Sequence, residues 1–431
     1  MVKVVDVVVV GGGPAGVFCA QAITKQLPSA RVVLLEAQKE LLKKVRLSGG
    51  GRCNVTHARH KFAHLREVAA QYPRGGKHLL GNLSRFGIEE SHQWFEKHGV
   101  ALKTEADGRV FPTTDSSATI VNVLLDAAAG VEIHRRTKVI SLSRNHNCDD
   151  ATFAIAARAK ADDTILDLHA RCVVIATGSS VPFWDLLQAP PLQLAVAPPV
   201  PSLFTFKTND PRIRDLAGIS VDETMISLPT LKKLPPVYGP TLITHFGLSG
   251  PAILRQSAFA ALAMHAADYK LPFCVDWTGG RFSPHEARLF LADQRTRHPT
   301  RKVASTCPFV DDTNKPLLAQ RLWARLALEA DVTWANVSKE MTATIASNVA
   351  ACTMVTTGKT TFKDEFVTAG GVELRQLTKD LEAKTMPGLF FAGECLNVDG
   401  VTGGFNFTNC WSSGQIAADR IVAILQSPSS E

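Results

Sequence analysis

The sequence has no C-x-x-C pair, no second G-x-G-x-x-G, no internal repeat and no run of 18 uninterrupted apolar residues. Each absence removes a class of protein. Nine cysteines, odd in number and irregular in spacing, fit neither a disulfide framework nor a metal site. They are expected to be reduced and mostly buried, and no metal is expected. A membrane span needs roughly 18 or more apolar residues in succession, so none is expected. The valine-rich run begins at Val4, too early for a signal peptide ahead of it. The chain therefore reads as cytosolic, a cytoplasmic protein, with an organelle import peptide removed upstream as the other reading. The balance of 47 basic against 40 acidic residues, a net +7, is mild for the whole chain but unevenly spread.

What is present begins at once. Val4 to Val10 is all valine except Asp6, the pattern of a parallel strand buried on both faces. Gly11-x-Gly13-x-x-Gly16 follows and opens an apolar helical pattern that runs to about Leu27, before Pro28-Ser29. Arg31 to Leu35 reads as a second strand ending in Glu36. This is the dinucleotide fingerprint in one βαβ unit. The first glycine permits the tight turn, the second lets backbone approach a pyrophosphate, and the third lets helix and strand pack closely. Pro14 suits the first helical turn, and the helix N-terminus offers N–H groups to phosphate. Glu36 stands where a carboxylate accepts ribose hydroxyls, and its charge argues against a 2′-phosphate there.

At 431 residues the chain is expected to form two or three domains. Gly130 to Ser143 and Ala151 to Leu168 read as strands of a three-stranded excursion, and Cys172 to Ala176 as a further buried strand ending in Thr177-Gly178. Six prolines between Pro182 and Pro201 mark a boundary. Strand-like segments around 203–227 and 241–246 follow, then helical patterns at Pro284–Arg295, Leu317–Ala330 and Trp334–Ile345. Gly388 to Ala392 returns to a buried strand, and Ser412 to Leu425 reads as a closing helix.

Three features favour flavin over nicotinamide. Ala176-Thr177-Gly178 ends a buried strand. Gly393-Glu394 ends the late one, with Asp399-Gly400 just after, where carboxylates can bind ribityl or ribose hydroxyls. Gly403-Gly404-Phe405-Asn406 leads into the last helix and can set N–H groups at a flavin pyrimidine edge. The absence of a second fingerprint leaves NAD(P)H as a transient electron donor at the flavin face, or leaves the substrate itself to reduce FAD.

The stretches VVVVGGGPAG (7–16), KVRLSGGGRCNVTH (44–57), GRVFP (108–112), THFGLSGPAIL (244–254), TAGGV (368–372) and GLFFAGECLNVDGVTGGFNF (388–407) resemble, in order, the YhiN/BaiN-type flavoprotein family, which includes proteins called aminoacetone oxidases. SGGGRCN and THFGLSGP are specific to it among flavoproteins. The resemblance implies an α/β fold: a Rossmann-like FAD-binding domain (1–190 and 366–431), an inserted β-barrel-like domain (200–280 and 346–365) and a small helical domain (281–345). It implies FAD held by Gly11, Gly13, Pro14, Ala15, Gly16, Glu36, Ala37, Lys44, Ser48, Gly49, Gly51, Arg52, Cys53, Asn54, Val139, Thr177, Gly178, Gly393, Glu394, Asp399, Gly403, Gly404, Phe405 and Asn406. The chain departs from its relatives in the Pro-rich 182–201, in Asn397 where an aspartate is usual, and in Phe407-Thr408-Asn409-Cys410.

Within Ser48–Asn54 the glycines let backbone wrap a bound ring system, Arg52 can reach a phosphate or flavin carbonyl, and Asn54 can donate and accept. A thiol beside Arg52 can have a lowered pKa, but packing or flavin contact is the reading preferred for Cys53. His245, in a turn with two glycines that enters a helix at Pro251, is a candidate proton donor; the alternative is a histidine hydrogen-bonded at a domain junction. Asn54 and His245 are the candidate catalytic residues. Residues 39–77 hold ten Lys or Arg against two Glu, an excess above the net charge of the whole chain, and 295–302 holds another basic run. Three functions compete: an oxidoreductase acting on a small amine or enone, a flavin-dependent reductase of a uridine in ribosomal RNA, and a flavin-binding scaffold without turnover. The partner is accordingly a small molecule or RNA, and the oligomeric state is open.

Overall fold

The computed structural model describes residues 2–145, 152–360 and 367–427. They form two compact units: Met1–Val200 with Val367–Glu431, and Pro201–Phe366. The expected strand start at Ala151 and the segment 361–366 lie outside the described residues.

The first unit is built on the expected βαβ. Strand Lys3–Val10 pairs in parallel with Val32–Glu36 on one side and with Ile165–Ile175 on the other. Valines 7 to 10 are buried, as a strand covered on both faces requires. The helix between them, Pro14–Gln26, packs on the closing helix, Phe405–Gln426, through Phe18, Trp411, Ala417 and Ile421. The late strand Leu389–Phe391 pairs in parallel with the end of Ile165–Ile175, so the chain returns to complete the first sheet.

Two expectations about this sheet are corrected. Residues 130–143 are two strands, not one: Glu132–Arg135 joins the main sheet beside Val32–Glu36, while Thr137–Arg144 starts the antiparallel excursion. Arg136, at φ +55°, makes the turn that separates them. The buried strand placed at Cys172–Ala176 is the second half of one long strand from Ile165, whose first half pairs with Phe153–Ala159. The pattern hides this because polar residues of the exposed half interrupt the apolar run.

The Pro-rich passage belongs to the first unit. It contains a helix, Val181–Gln188, and a strand, Val196–Pro201, that pairs with Thr368–Val372. Prolines are tolerated there because this is a two-stranded ribbon at an edge.

The second unit has a seven-stranded sheet whose recorded pairings are antiparallel, running Cys352–Val355, Pro272–Asp276, Ser220–Ser227, Val237–Thr244, Gly247–Ser249, Thr205–Lys207 and Gly358–Thr360. Its core joins sheet residues such as Phe206, Ile243 and Phe273 to Leu291, Trp323 and Ile345 from the helices. Two helices differ from expectation. Gln320–Leu326 stops early because Leu328 and Glu329 take positive φ. The next begins at Lys339, not Trp334, because the Ser338 hydroxyl caps it by accepting from the Met341 N–H.

Candidate functional site

The fingerprint residues expected to hold a dinucleotide lie in the first unit. Gly13 is the N-cap of Pro14–Gln26, in extended geometry, with no side chain capping the helix. Its first N–H groups are therefore left for an external acceptor. A Cβ built on Gly13 would meet nothing within 4 Å, whereas one on Gly16 would strike the Gly11 carbonyl at 2.0 Å. Glu36 closes one side: its carboxylate accepts from Gly12 N–H at 2.7 Å and from Gln38 N–H at 2.6 Å, which places Ala37 in the same tight turn. On the other side the Thr177 hydroxyl is buried with no hydrogen-bond partner among the described residues. FAD fits this cradle: an uncapped helix start, open space beside Gly13, a strand-end carboxylate and an orphaned hydroxyl.

The late strand brings Glu394 to the same edge. Its carboxylate pairs with Lys44 and accepts from Thr368 N–H, and it lies beside Gly178. Lys44, Gly178, Gly393 and Glu394 thus meet although 350 residues separate the ion pair. Val139 is buried in Thr137–Arg144, at a bulge in that strand's pairing.

The Ser48–Gly51 turn keeps positive φ at Gly49, Gly50 and Gly51, and a Cβ at Gly50 or Gly51 would meet nothing within 4 Å. The loop can therefore approach a flat ligand closely. Its two flanking side chains are engaged with protein. Arg52 pairs with Glu105 at 2.7 Å and lies over the Phe111 ring at 4.0 Å; this hydrogen bond raises its pKa. The Asn54 carbonyl accepts from Val110 N–H. Cys53 is fully buried, and burial pushes its thiol up to about 12. Cys395 is likewise pushed up to about 12. Both are protonated at neutral pH, which favours packing over a reactive thiol. We expect Cys53 to resist iodoacetamide at pH 8 in the native protein and to react once unfolded. Peptide mass spectrometry showing fast native alkylation would contradict this.

The start of the closing helix is uncapped, with Gly404 as N-cap at φ +90°. Gly404 lies against the Thr56 backbone, where a Cβ would come within 2.4 Å of the carbonyl. Asn406 grips Gly400 through both amide atoms, at 2.8 and 2.9 Å. Asp399 is wholly buried and holds the Arg74 guanidinium through both carboxylate oxygens. The contact with cofactor hydroxyls expected of Asp399 has no open oxygen to use.

The sequence reading missed several participants. His57 Nδ1 bonds to the Gly403 carbonyl at 2.9 Å, and its ring stacks on Phe405 at 4.9 Å. Tyr72 donates to the Phe405 carbonyl at 2.7 Å, and Trp411 to the Val55 carbonyl at 3.0 Å. Arg74 carries no spacing signal that would mark it. His57 ends one of the family stretches but has no local partner in sequence.

His245 belongs to the second unit. It is exposed in the turn between Val237–Thr244 and Gly247–Ser249, where the Thr244 hydroxyl orders the backbone. The basic segment is partly neutralised from outside: Lys44, Arg52 and Arg74 pair with Glu394, Glu105 and Asp399. Its outward excess is smaller than its sequence count. In the other basic run, Arg297 pairs with Asp293 and Lys302 with Asp331, while Arg301 is exposed. No group of three potential ligands that could hold a metal, and no helix long and apolar enough to cross a membrane, occurs among the described residues.

A family model described as HI0933-like protein Rossmann domain matches residues 5–420. A ribosomal RNA dihydrouridine synthase of Escherichia coli is 27% identical over 438 residues, covering 97% of this chain and 98% of that protein. A 3-dehydro-bile acid delta(4,6)-reductase of Clostridium scindens is 24% identical over 419 residues, covering 95% of this chain and 97% of that protein. A solved quinol-fumarate reductase with menaquinol molecules matches with a TM-score of 0.50 and 12% identity, covering 98% of this chain and 71% of that one, a likeness of fold alone.

Proposed function

The chain belongs to the HI0933-like Rossmann family and is an FAD-dependent oxidoreductase, and on that premise we propose that it reduces a carbon–carbon double bond conjugated to a carbonyl, with uridine in RNA as the substrate. The two named relatives point to one reaction class. A dihydrouridine synthase saturates the uracil C5=C6 bond, which is conjugated to a carbonyl. A delta(4,6)-reductase of a 3-dehydro compound acts on a double bond conjugated in the same sense. Such a reduction adds a hydride to the β carbon and a proton to the α carbon. Bound, reduced FAD supplies the hydride.

This chain's own residues do the remaining work in the proposal. Gly13, the Thr177 hydroxyl and Glu36 bind the dinucleotide. The Ser48–Gly51 turn and the uncapped start of Phe405–Gln426 approach the flavin ring, with N–H groups toward its negative edge when reduced. Arg52 and Asp399 then act as positioning residues, since both are held by protein partners. His245 is kept as the candidate proton donor, because it is an exposed imidazole. With one fingerprint in the chain, NAD(P)H is proposed as a donor that binds transiently and leaves. An RNA substrate also fits a cytoplasmic location.

The observation that carries RNA over a free small molecule is the set of exposed cations Lys61, Arg66, Arg297 and Arg301. Charge reversal of these four should abolish binding of a single-stranded RNA oligomer while leaving flavin absorbance intact. Wild-type log affinity should fall against log salt with a slope of about −0.7 per phosphate contact. Arg59 is excluded from the set because it is only partly exposed. No binding at low salt, or binding that ignores the four changes, would leave a small enone as the substrate.

A further inference from the structure

Three successive residues, Val55, Thr56 and His57, hold the start of the closing helix Phe405–Gln426. The Val55 carbonyl accepts from the Trp411 indole at 3.0 Å, and the Thr56 hydroxyl meets that of Thr408 at 2.9 Å. Both bonds end on side chains of the helix and anchor it. His57 differs. Its Nδ1 reaches past the helix to the Gly403 carbonyl, at 2.9 Å. A carbonyl only accepts, so Nδ1 carries a proton and donates. The ring is held in place for this bond. It stacks on Phe405 at 4.9 Å and lies beside Phe62 at 5.4 Å, and a Cβ built on Gly108 would come within 2.5 Å of Nε2.

The Gly403 carbonyl shares a peptide group with the Gly404 N–H. Gly404 is the N-cap of the helix, and no side chain caps it. The N–H groups of the first turn have no carbonyl within the helix to meet. A donor on a peptide oxygen polarises that peptide and strengthens its N–H as a donor in turn. A reduced flavin carries added negative charge, and donors aimed at that charge favour the reduced state. The bond from His57 therefore acts on the electrons of a ligand at the helix start, and not only on the packing of the helix.

We infer that His57 is a positioning residue that raises the reduction potential of bound FAD by donating to the Gly403 carbonyl. The inference rests on the reading that the start of Phe405–Gln426 meets the flavin ring, and all of its residues belong to the first unit.

The test measures the midpoint potential of full-length, FAD-loaded protein against a reference dye, in wild type, His57→Phe and His57→Asn. Phenylalanine keeps a ring to stack on Phe405 and loses the donor. Asparagine loses the ring and keeps an N–H donor, on Nδ2, close to the reach of Nδ1. His57→Phe should lower the potential by about 30 mV, a tenfold fall in the ratio of reduced to oxidised flavin, the size expected of one hydrogen bond lost. His57→Asn should recover most of it. A role in packing alone predicts the reverse order, seen in melting temperature and not in potential. A His57→Phe potential equal to that of wild type, or a His57→Asn potential lowered as far as that of His57→Phe, overturns the inference.

A second measurement keeps the side chain. With isotope-labelled histidine, the Nδ1–H proton resonance of His57, assigned by its absence from His57→Asn, should move downfield when dithionite reduces the flavin of wild type. A resonance that does not move overturns the inference even if His57→Phe fails to retain FAD. Hydrogen exchange tests the underlying reading separately: the amides of Gly404 to Phe407 should exchange more slowly in FAD-loaded than in flavin-stripped protein. Protection of these amides beside a potential that ignores His57 overturns the inference and leaves the flavin at the helix start. Absence of protection overturns both.

Discussion

Gly13→Val should give a protein that folds and melts like flavin-stripped wild type and purifies without flavin. Gly13 sits at φ −79° and ψ −176°, extended backbone open to any residue, and a Cβ there meets no protein atom within 4 Å. The substitution therefore strains nothing in the polypeptide. The space it fills is the space a pyrophosphate needs against the uncapped N–H groups of Pro14–Gln26. Displacing the phosphates from two such charge-assisted hydrogen bonds weakens FAD binding by roughly 10²- to 10⁴-fold. The neighbouring glycines serve as controls of the opposite kind. Gly11 is at φ +110°, with Ala176 O 2.3 Å from a built Cβ, and a Cβ on Gly16 strikes Gly11 O. Valine at either should damage the fold itself. Absorbance at the flavin band after gel filtration, read beside thermal melting, separates the two outcomes. A Gly13→Val protein that keeps a full complement of FAD would remove the fingerprint reading.

The contrast among these glycines also marks what the sequence makes legible. The βαβ unit, Glu36, Gly393-Glu394 and the glycines before the last helix are local signals. Each depends on a spacing of a few residues, and each emerges in the expected place. What the sequence hides is pairing at long range. Arg74 meets Asp399, and His57 meets Gly403, across more than 300 residues, and no periodicity announces either. The start of the closing helix is hidden for another reason. Phe405-Asn406-Phe407-Thr408-Asn409 has poor intrinsic helix propensity, so the pattern points to Ser412. Packing overrides it: Phe405 meets Tyr72 and His57, and the Thr408 hydroxyl meets that of Thr56. The second unit yields least to the sequence. Its candidate proton donor is visible as a motif, but the buried Gln256, whose amide has no partner among the described residues, stands out only in the fold.

Arg74→Ala should be among the most destabilising single changes in the first unit. Asp399 has no exposed side-chain surface, and Arg74 keeps 13% of its own. Removing the guanidinium deprives a buried carboxylate of its bidentate partner. Breaking a buried pair in this way costs about 3–5 kcal/mol, whereas replacing both members with apolar residues is often near neutral. For a unit of this size a loss of that order lowers the melting temperature by about 10 °C. The double change Arg74→Met with Asp399→Leu should therefore recover most of the stability. It should not recover FAD affinity. The pair bridges Arg74 to Asp399 at the turn where Asn406 grips Gly400, one step from Gly403 and Gly404. An apolar pair cannot fix that turn with the same directional bonds. Thermal melting and FAD titration of the single and double variants decide the matter. An Arg74→Ala protein melting within about 2 °C of wild type would exclude the buried pair as a stabilising element, and a double variant with wild-type FAD affinity would reduce its role to stability alone.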